Sequence, residues 1–179
     1  MKRAVGWAAA FVLLAVPARA GDNLGISVGY SFLKYLEEGG GEAPLGFYLS
    51  FSGHGKSAVE LDLAYHHDTG QLTEGPDIFD TKLDTFTAVA GPRIGPAPRY
   101  GQTGGARPYF HILGGMRKDW LQVVGRDKES NTSWGGMTGL GIDILLGRGF
   151  ALRLAADFQI FWDNGEDLKT LRLSGGFTF

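Results

Sequence analysis

From Leu24 to the end of the chain, apolar side chains recur at every second position in one segment after another. A strand alternates its side chains between two faces. The pattern therefore specifies strands with one apolar face each and leaves no stretch with the 3.6-residue period of a helix. Leu24, Ile26, Val28, Tyr30 and Phe32 open the series, and Leu45 to Phe51 and Val59 to Tyr65 repeat it. In a fourth segment, 83–93, Phe86, Ala88, Ala90 and Pro92 oppose Thr87, Val89, Gly91 and Arg93. In a fifth, 107–116, Phe110 and Ile112 oppose Tyr109, His111 and Leu113. In the sixth, Trp134, Thr138, Leu140, Ile142 and Ile144 oppose Gly135, Met137, Gly139, Gly141 and Asp143. Phe150, Leu152, Leu154, Ala156, Phe158, Ile160 and Trp162 form one face of the seventh, and Leu171, Leu173, Gly175, Phe177 and Phe179 one face of the eighth.

The spacers 35–44, 53–56, 67–82, 94–106, 117–131, 147–149 and 163–169 run long, short, long, medium, long, short, long. This rhythm suits an all-β, eight-stranded antiparallel up-and-down barrel with its long loops at one rim and both termini at the other. Each segment has about 9–11 residues, the length a tilted strand needs to cross the hydrocarbon of a bilayer.

Alternation alone does not say which face is inside. A soluble barrel of the lipocalin kind turns its apolar face inward, and a transmembrane barrel turns it outward. The minority faces carry Glu60, Asp62, Asp143 and Asp157 against Arg93, Arg153 and Arg172, with His111 among them, and no lysine. The lysines after residue 20 fall in the spacers or at segment ends. A solvated face would use lysine freely, whereas a closed polar interior favours the planar fork of arginine, which pairs carboxylates with good geometry. These eight residues read as an interior charge network. The apolar face is almost free of charge and places Tyr65, Trp134, Trp162 and Phe179 as an aromatic girdle would. Among the 29 glycines, those at 91, 139, 141 and 176 suit a crowded lumen. The expectation is a transmembrane β-barrel, with the soluble carrier as the rival.

Lys2 and Arg3, the apolar run Ala4 to Val16, Pro17 and the Ala18-Arg19-Ala20 ending make a secretory signal peptide over 1–20, cut after Ala20, with the barrel domain over 21–179. The apolar run falls short of the roughly 20 residues of a spanning helix. There is no cysteine, which excludes a disulfide scaffold, a thiolate metal site and a cysteine nucleophile. A net charge of −2 gives no footprint for nucleic acid.

Residues along the whole remaining chain carry a resemblance. The ending Leu171-Arg172-Leu173-Ser174-Gly175-Gly176-Phe177-Thr178-Phe179 resembles the closing strand of bacterial outer-membrane proteins. Ala90-Gly91-Pro92-Arg93, Pro108-Tyr109, Gly139-Leu140-Gly141-Ile142-Asp143, Leu152-Arg153-Leu154 and Ala156-Asp157-Phe158 are similar, in order, to the fourth to seventh strands of the small OmpA/OmpX-like outer-membrane β-barrel superfamily. The resemblance implies a Gram-negative outer-membrane location among lipids and lipopolysaccharide. It also implies a terminal signal at Phe177 and Phe179 read by the barrel-assembly machinery. The superfamily shares a fold and a location, not one activity. No peptidoglycan-binding domain like that of OmpA follows Phe179, so cell-wall anchoring is not expected.

The search for chemistry returns little. Of His54, His66, His67 and His111, only His67 has outward parity near a rim; no serine sits two residues away on that face, and Asp68 falls in a spacer, so no hydrolytic triad is visible. His111 with Asp143 could form an acid–base pair, but a histidine satisfied within the lumen network is the simpler reading. Glu60, Asp62 and Asp157 could hold a cation, but pairing with Arg93, Arg153 and Arg172 is favoured because buried unpaired charge is costly. Asp163-Asn164-Gly165-Glu166-Asp167 lacks the spacing of a calcium loop and reads as a hairpin tip. Gly135 to Gly141 has no lysine and no following helix, so it is not a phosphate loop. Asn131-Thr132-Ser133 matches a glycosylation triplet that carries no information in a bacterial envelope. No catalytic residue, metal or cofactor is expected. Glu37, Glu38, Glu42, Glu74, Asp77, Asp80, Phe79 and Trp120 in the long spacers either bind an extracellular ligand or keep the outer rim solvated. The leading expectation is a structural or cell-surface interaction protein with a lumen closed by charge. An outer-leaflet lipid A deacylase or acyltransferase is the alternative.

Overall fold

A computed structural model describes residues 24–36, 44–53, 56–74, 77–96, 104–147, 149–163 and 166–179. Residues 1–20, expected as a signal peptide, His54, and the acidic residues 37, 38 and 42 lie outside the described residues. The strands are β1 (Leu24–Tyr35), β2 (Leu45–Gly53), β3 (Ser57–Glu74), β4 (Asp77–Ile94), β5 (Ala106–Val123), β6 (Glu129–Gly147), β7 (Phe150–Asp163) and β8 (Glu166–Thr178). Each pairs antiparallel with the next, and β1 closes on β8, with Ser27 opposite Thr178 and Tyr35 opposite Thr170. Closure removes every free sheet edge, the condition for a β-sheet to sit in lipid. Among the described residues no helix is long and apolar enough to cross a membrane.

The barrel is inverted relative to a soluble one. On β7, Arg153 is 2% exposed and Asp157 fully buried, while Leu154 between them is 44% exposed. On β8, Arg172 and Ser174 are buried and Leu173 is half exposed. Tyr30, Phe47, Leu140, Trp134 and Trp162 all stand on the outer wall. The apolar face looks away from the axis, which removes the soluble carrier with an apolar cavity. From Phe150 to Trp162 the outer face of β7 is apolar throughout. At about 3.3 Å per residue and a tilt near 40°, that run covers ~30 Å, comparable with the hydrocarbon thickness of a bilayer.

The boundaries at one rim differ from expectation. The spacer 67–82 is mostly strand: β3 and β4 stay paired from His67 opposite Asp84 to Glu74 opposite Asp77. Likewise β5 runs on to Val123, β6 begins at Glu129, and Asp163 pairs with Glu166. The expected 9–11 residues therefore become 18 in β3, β4 and β5. The physical reason is that alternation marks a strand only where its two faces meet different surroundings. Above the lipid both faces meet water, so the ladder continues without the pattern.

Candidate functional site

The inner wall carries one connected ionic chain. Arg93 Nη2 on β4 donates to Asp143 Oδ2 on β6 at 2.6 Å, and Arg153 Nε on β7 donates to Asp143 Oδ1 at 2.8 Å. Arg153 Nη1 also reaches Glu60 Oε1 on β3 at 3.1 Å, where Ser50 Oγ donates at 2.6 Å. The chain continues through His111 on β5, whose Nδ1 is 3.1 Å from Glu60 Oε2 and whose Nε2 is 2.8 Å from Asp157 Oδ1. Arg172 on β8 then joins Asp157, Nε to Oδ2 at 2.9 Å, to Asp62, Nη1 to Oδ1 at 2.6 Å. All eight side chains singled out from the sequence face the lumen and are brought together.

His111 does not form the acid–base pair with Asp143; it bridges Glu60 and Asp157 as a histidine satisfied within the network. Arg153 pairs with Glu60 and Asp143, while Asp62 and Asp157 belong to Arg172. Both ring nitrogens of His111 lie within hydrogen-bond distance of a carboxylate oxygen, an arrangement that an imidazolium with two donors satisfies. In that form three guanidiniums and one imidazolium balance four carboxylates. Balance with full hydrogen bonding is what lets buried charge persist.

Glycines make the room. A Cβ on Gly139 would run into the Asp157 carboxylate, and one on Gly141 into the Tyr109 ring. That ring lies under the Arg93 guanidinium, 3.8 Å from its carbon to the centroid.

Two further layers were not singled out from the sequence. Val89, Leu113, Met137 and Phe161, on β4 to β7, form a buried apolar cluster inside the barrel. Nearer the long-loop rim lies a second polar group. Arg117 Nε donates to both oxygens of Asp119, at 3.0 and 2.9 Å, and its Nη2 reaches the Tyr35 hydroxyl at 2.9 Å. Arg117 opens the spacer 117–131 of the sequence pattern, where Lys118, Asp119 and Trp120 interrupt the alternation. Its odd parity, continued from Leu113, was the available signal. His66 is also internal, Nε2 2.8 Å from Ser31 Oγ.

On the outer wall, His67 Nδ1 sits 2.8 Å from Asp84 Oδ1, which also accepts from the Tyr65 hydroxyl at 2.6 Å. The partner is Asp84 across the ladder, not Asp68, which lies within β3 opposite Leu83. Beside them Lys118 and Lys128 both stand over the Trp120 ring, at 5.3 and 5.7 Å from its centroid. Trp134 and Trp162 are direct cross-strand partners, lower on the same wall. Among the described residues no group of three or more potential metal ligands occurs.

A closed eight-stranded wall, apolar outside and ionic within, defines a transmembrane β-barrel of the small outer-membrane type. Solved structures of that type share the fold. Ail, the attachment invasion locus protein of Yersinia pestis, in complex with the heparin analogue sucrose octasulfate, is 20% identical with a TM-score of 0.58, covering 89% of this chain and 100% of its own. Neisserial surface protein A is 14% identical with a TM-score of 0.57, over 87% of this chain and 95% of its own. The outer membrane protein OprG from Pseudomonas aeruginosa is 15% identical with a TM-score of 0.57, over 87% and 94%. No protein-family profile and no curated protein matches the chain.

Proposed function

We propose that the chain is an integral protein of a bacterial outer membrane with a structural or cell-surface interaction role, and that its lumen is closed. The observation that carries this is the polarity inversion: buried, ion-paired Arg153, Glu60, His111 and Arg172 inside a wall of Leu154, Leu140, Phe47 and Tyr30. In this reading residues 1–20 are a signal peptide removed after Ala20, and Phe177 and Phe179 present the terminal signal to the barrel-assembly machinery. The rim of β3–β4 and β5–β6, with its extended ribbons, faces outward. Lipids and lipopolysaccharide surround the belt. An eight-stranded interior is just filled by side chains, and here an ionic chain and an apolar cluster both cross it. Ail, a protein of the same fold, was solved with a heparin analogue, which supports looking for ligands of the outer rim. Fractionation tests the location: the protein should migrate with outer-membrane vesicles and change gel mobility on boiling. Recovery in osmotic-shock fluid would overturn it.

A second reading rests on one observation. His67 and Asp84 form an oriented histidine–carboxylate pair on the lipid-facing wall, as an outer-leaflet lipid-modifying enzyme would need. Among the described residues no hydroxyl is hydrogen-bonded to His67 Nε2. Lipid A mass spectra with and without the gene decide it, and identical spectra remove the enzyme.

A further inference from the structure

Immediately above the apolar belt, one sector of the outer wall changes character. On β4 and β5 the outward positions pass from Phe86 and Met116 to Asp84, Lys82, Lys118 and Trp120. Lys118 approaches Trp120 from two residues away on the same strand, and Lys128 from the β5–β6 connection. Lys82 lies opposite Gln122, diagonal to Trp120 on the same face.

Two ammonium groups thus stand over one indole at membrane-interface height, with Lys82 on the neighbouring strand of the same face. Among the described residues, none of the three makes an ion pair with a carboxylate within 4.0 Å. Two carboxylates share the face; both accept hydrogen bonds from other side chains, and Asp84 also lies within electrostatic reach of Lys128. Asp84 accepts from Tyr65 and His67, and Asp80 accepts from Gln71 Nε2 at 3.2 Å. The opposite sector, on β8 and β1, is built differently: Lys169 lies 3.8 Å from Asp167, and Lys34 stands on the neighbouring strand.

We propose that Lys82, Lys118 and Lys128, arranged round Trp120, bind the phosphate-bearing headgroup of an outer-leaflet lipid, with its acyl chains lying along the apolar wall below. The inference rests on the membrane reading above and names a partner within it. The site has the elements such a ligand needs: cations with no directly paired carboxylate, an aromatic platform at interface depth, and an apolar surface continuous beneath it. Holding two like charges over one ring costs Coulomb repulsion, and a bound phosphate removes it.

The test is retention of diphosphoryl lipid A by the full chain, refolded in phosphatidylcholine vesicles containing it, extracted in mild detergent and measured by native mass spectrometry. The wild type should carry lipid A adducts. Lys118→Gln/Lys128→Gln should lose them at least about tenfold, the order expected from losing two surface contacts of roughly 1 kcal/mol each. Lys34→Gln/Lys169→Gln removes the same charge from the opposite sector and should retain them. Equal loss in both double variants, or equal retention, overturns the site. A wild type that fails to enter vesicles overturns the membrane reading, and the site falls with it. Boiling-dependent gel mobility of each variant separates lost binding from lost folding.

Discussion

Arg153 on β7 reaches across the lumen to Glu60 on β3, Nη1 to Oε1 at 3.1 Å. These strands are four apart in a closed ring of eight, as far from each other as the wall allows. Their pairing ties opposite sides of the barrel together, and the same guanidinium holds Asp143 on the neighbouring strand.

Arg153→Ala strips one cation from each of two buried carboxylates, leaving Asp143 with Arg93 and Glu60 with His111. Breaking a buried pair outright costs about 3–5 kcal/mol, and the partners that remain reduce that loss. Urea unfolding from phospholipid vesicles should show that loss, and an unchanged midpoint would rule out the network as a stabilising element. Arg153→Lys should recover only part of it, because an ammonium cannot fork between Asp143 and Glu60.

Gly139→Ala should cost about 1–3 kcal/mol by overpacking, because its new Cβ meets the Asp157 carboxylate between His111 and Arg172. The readout is again the urea midpoint. Gly147→Ala, where a Cβ meets nothing within 4 Å, is the matched control and should be near neutral.

Leu154→Arg places a charge on the outer wall inside the apolar run from Phe150 to Trp162, four residues along from Phe150. In lipid this costs about 2–4 kcal/mol. A substitution without effect in vesicles would mean that this wall does not face hydrocarbon.

Planar bilayers containing the purified protein should show no large, stable conductance step. Phe161→Ala empties part of the apolar cluster of Val89, Leu113 and Met137 and should destabilise by about 3–5 kcal/mol. The ionic chain below it remains, so the variant should still not conduct like a porin. Porin-sized steps from the wild type would refute the closed lumen.

Phe179→Ser should reduce assembly in cells while refolding into vesicles in vitro stays close to normal. Phe179 does pack 5.3 Å from the Phe150 ring, so a modest stability loss is expected. Equal assembly in cells would remove the terminal-signal reading.

The strand faces were legible in advance because alternation is local: Arg153 and Leu154 differ in environment whatever the rest of the chain does. The upper halves of β3 to β6 were not legible, since water on both faces leaves no periodic trace. Arg117 and Asp119 were lost there for the same reason. Asp84 as the partner of His67 was not legible because it lies seventeen residues away in sequence, and only cross-strand register sets the contact.

Residue types and their parity by themselves determined eight strands, an apolar exterior and the eight charged or titratable side chains of the ionic chain that enter the lumen, because each of those depends on a side chain's own strand. Which carboxylate meets which guanidinium was decided only by the tertiary structure. Opposite walls are brought level by the stagger of a closed sheet, a property of all eight strands together that no single segment encodes.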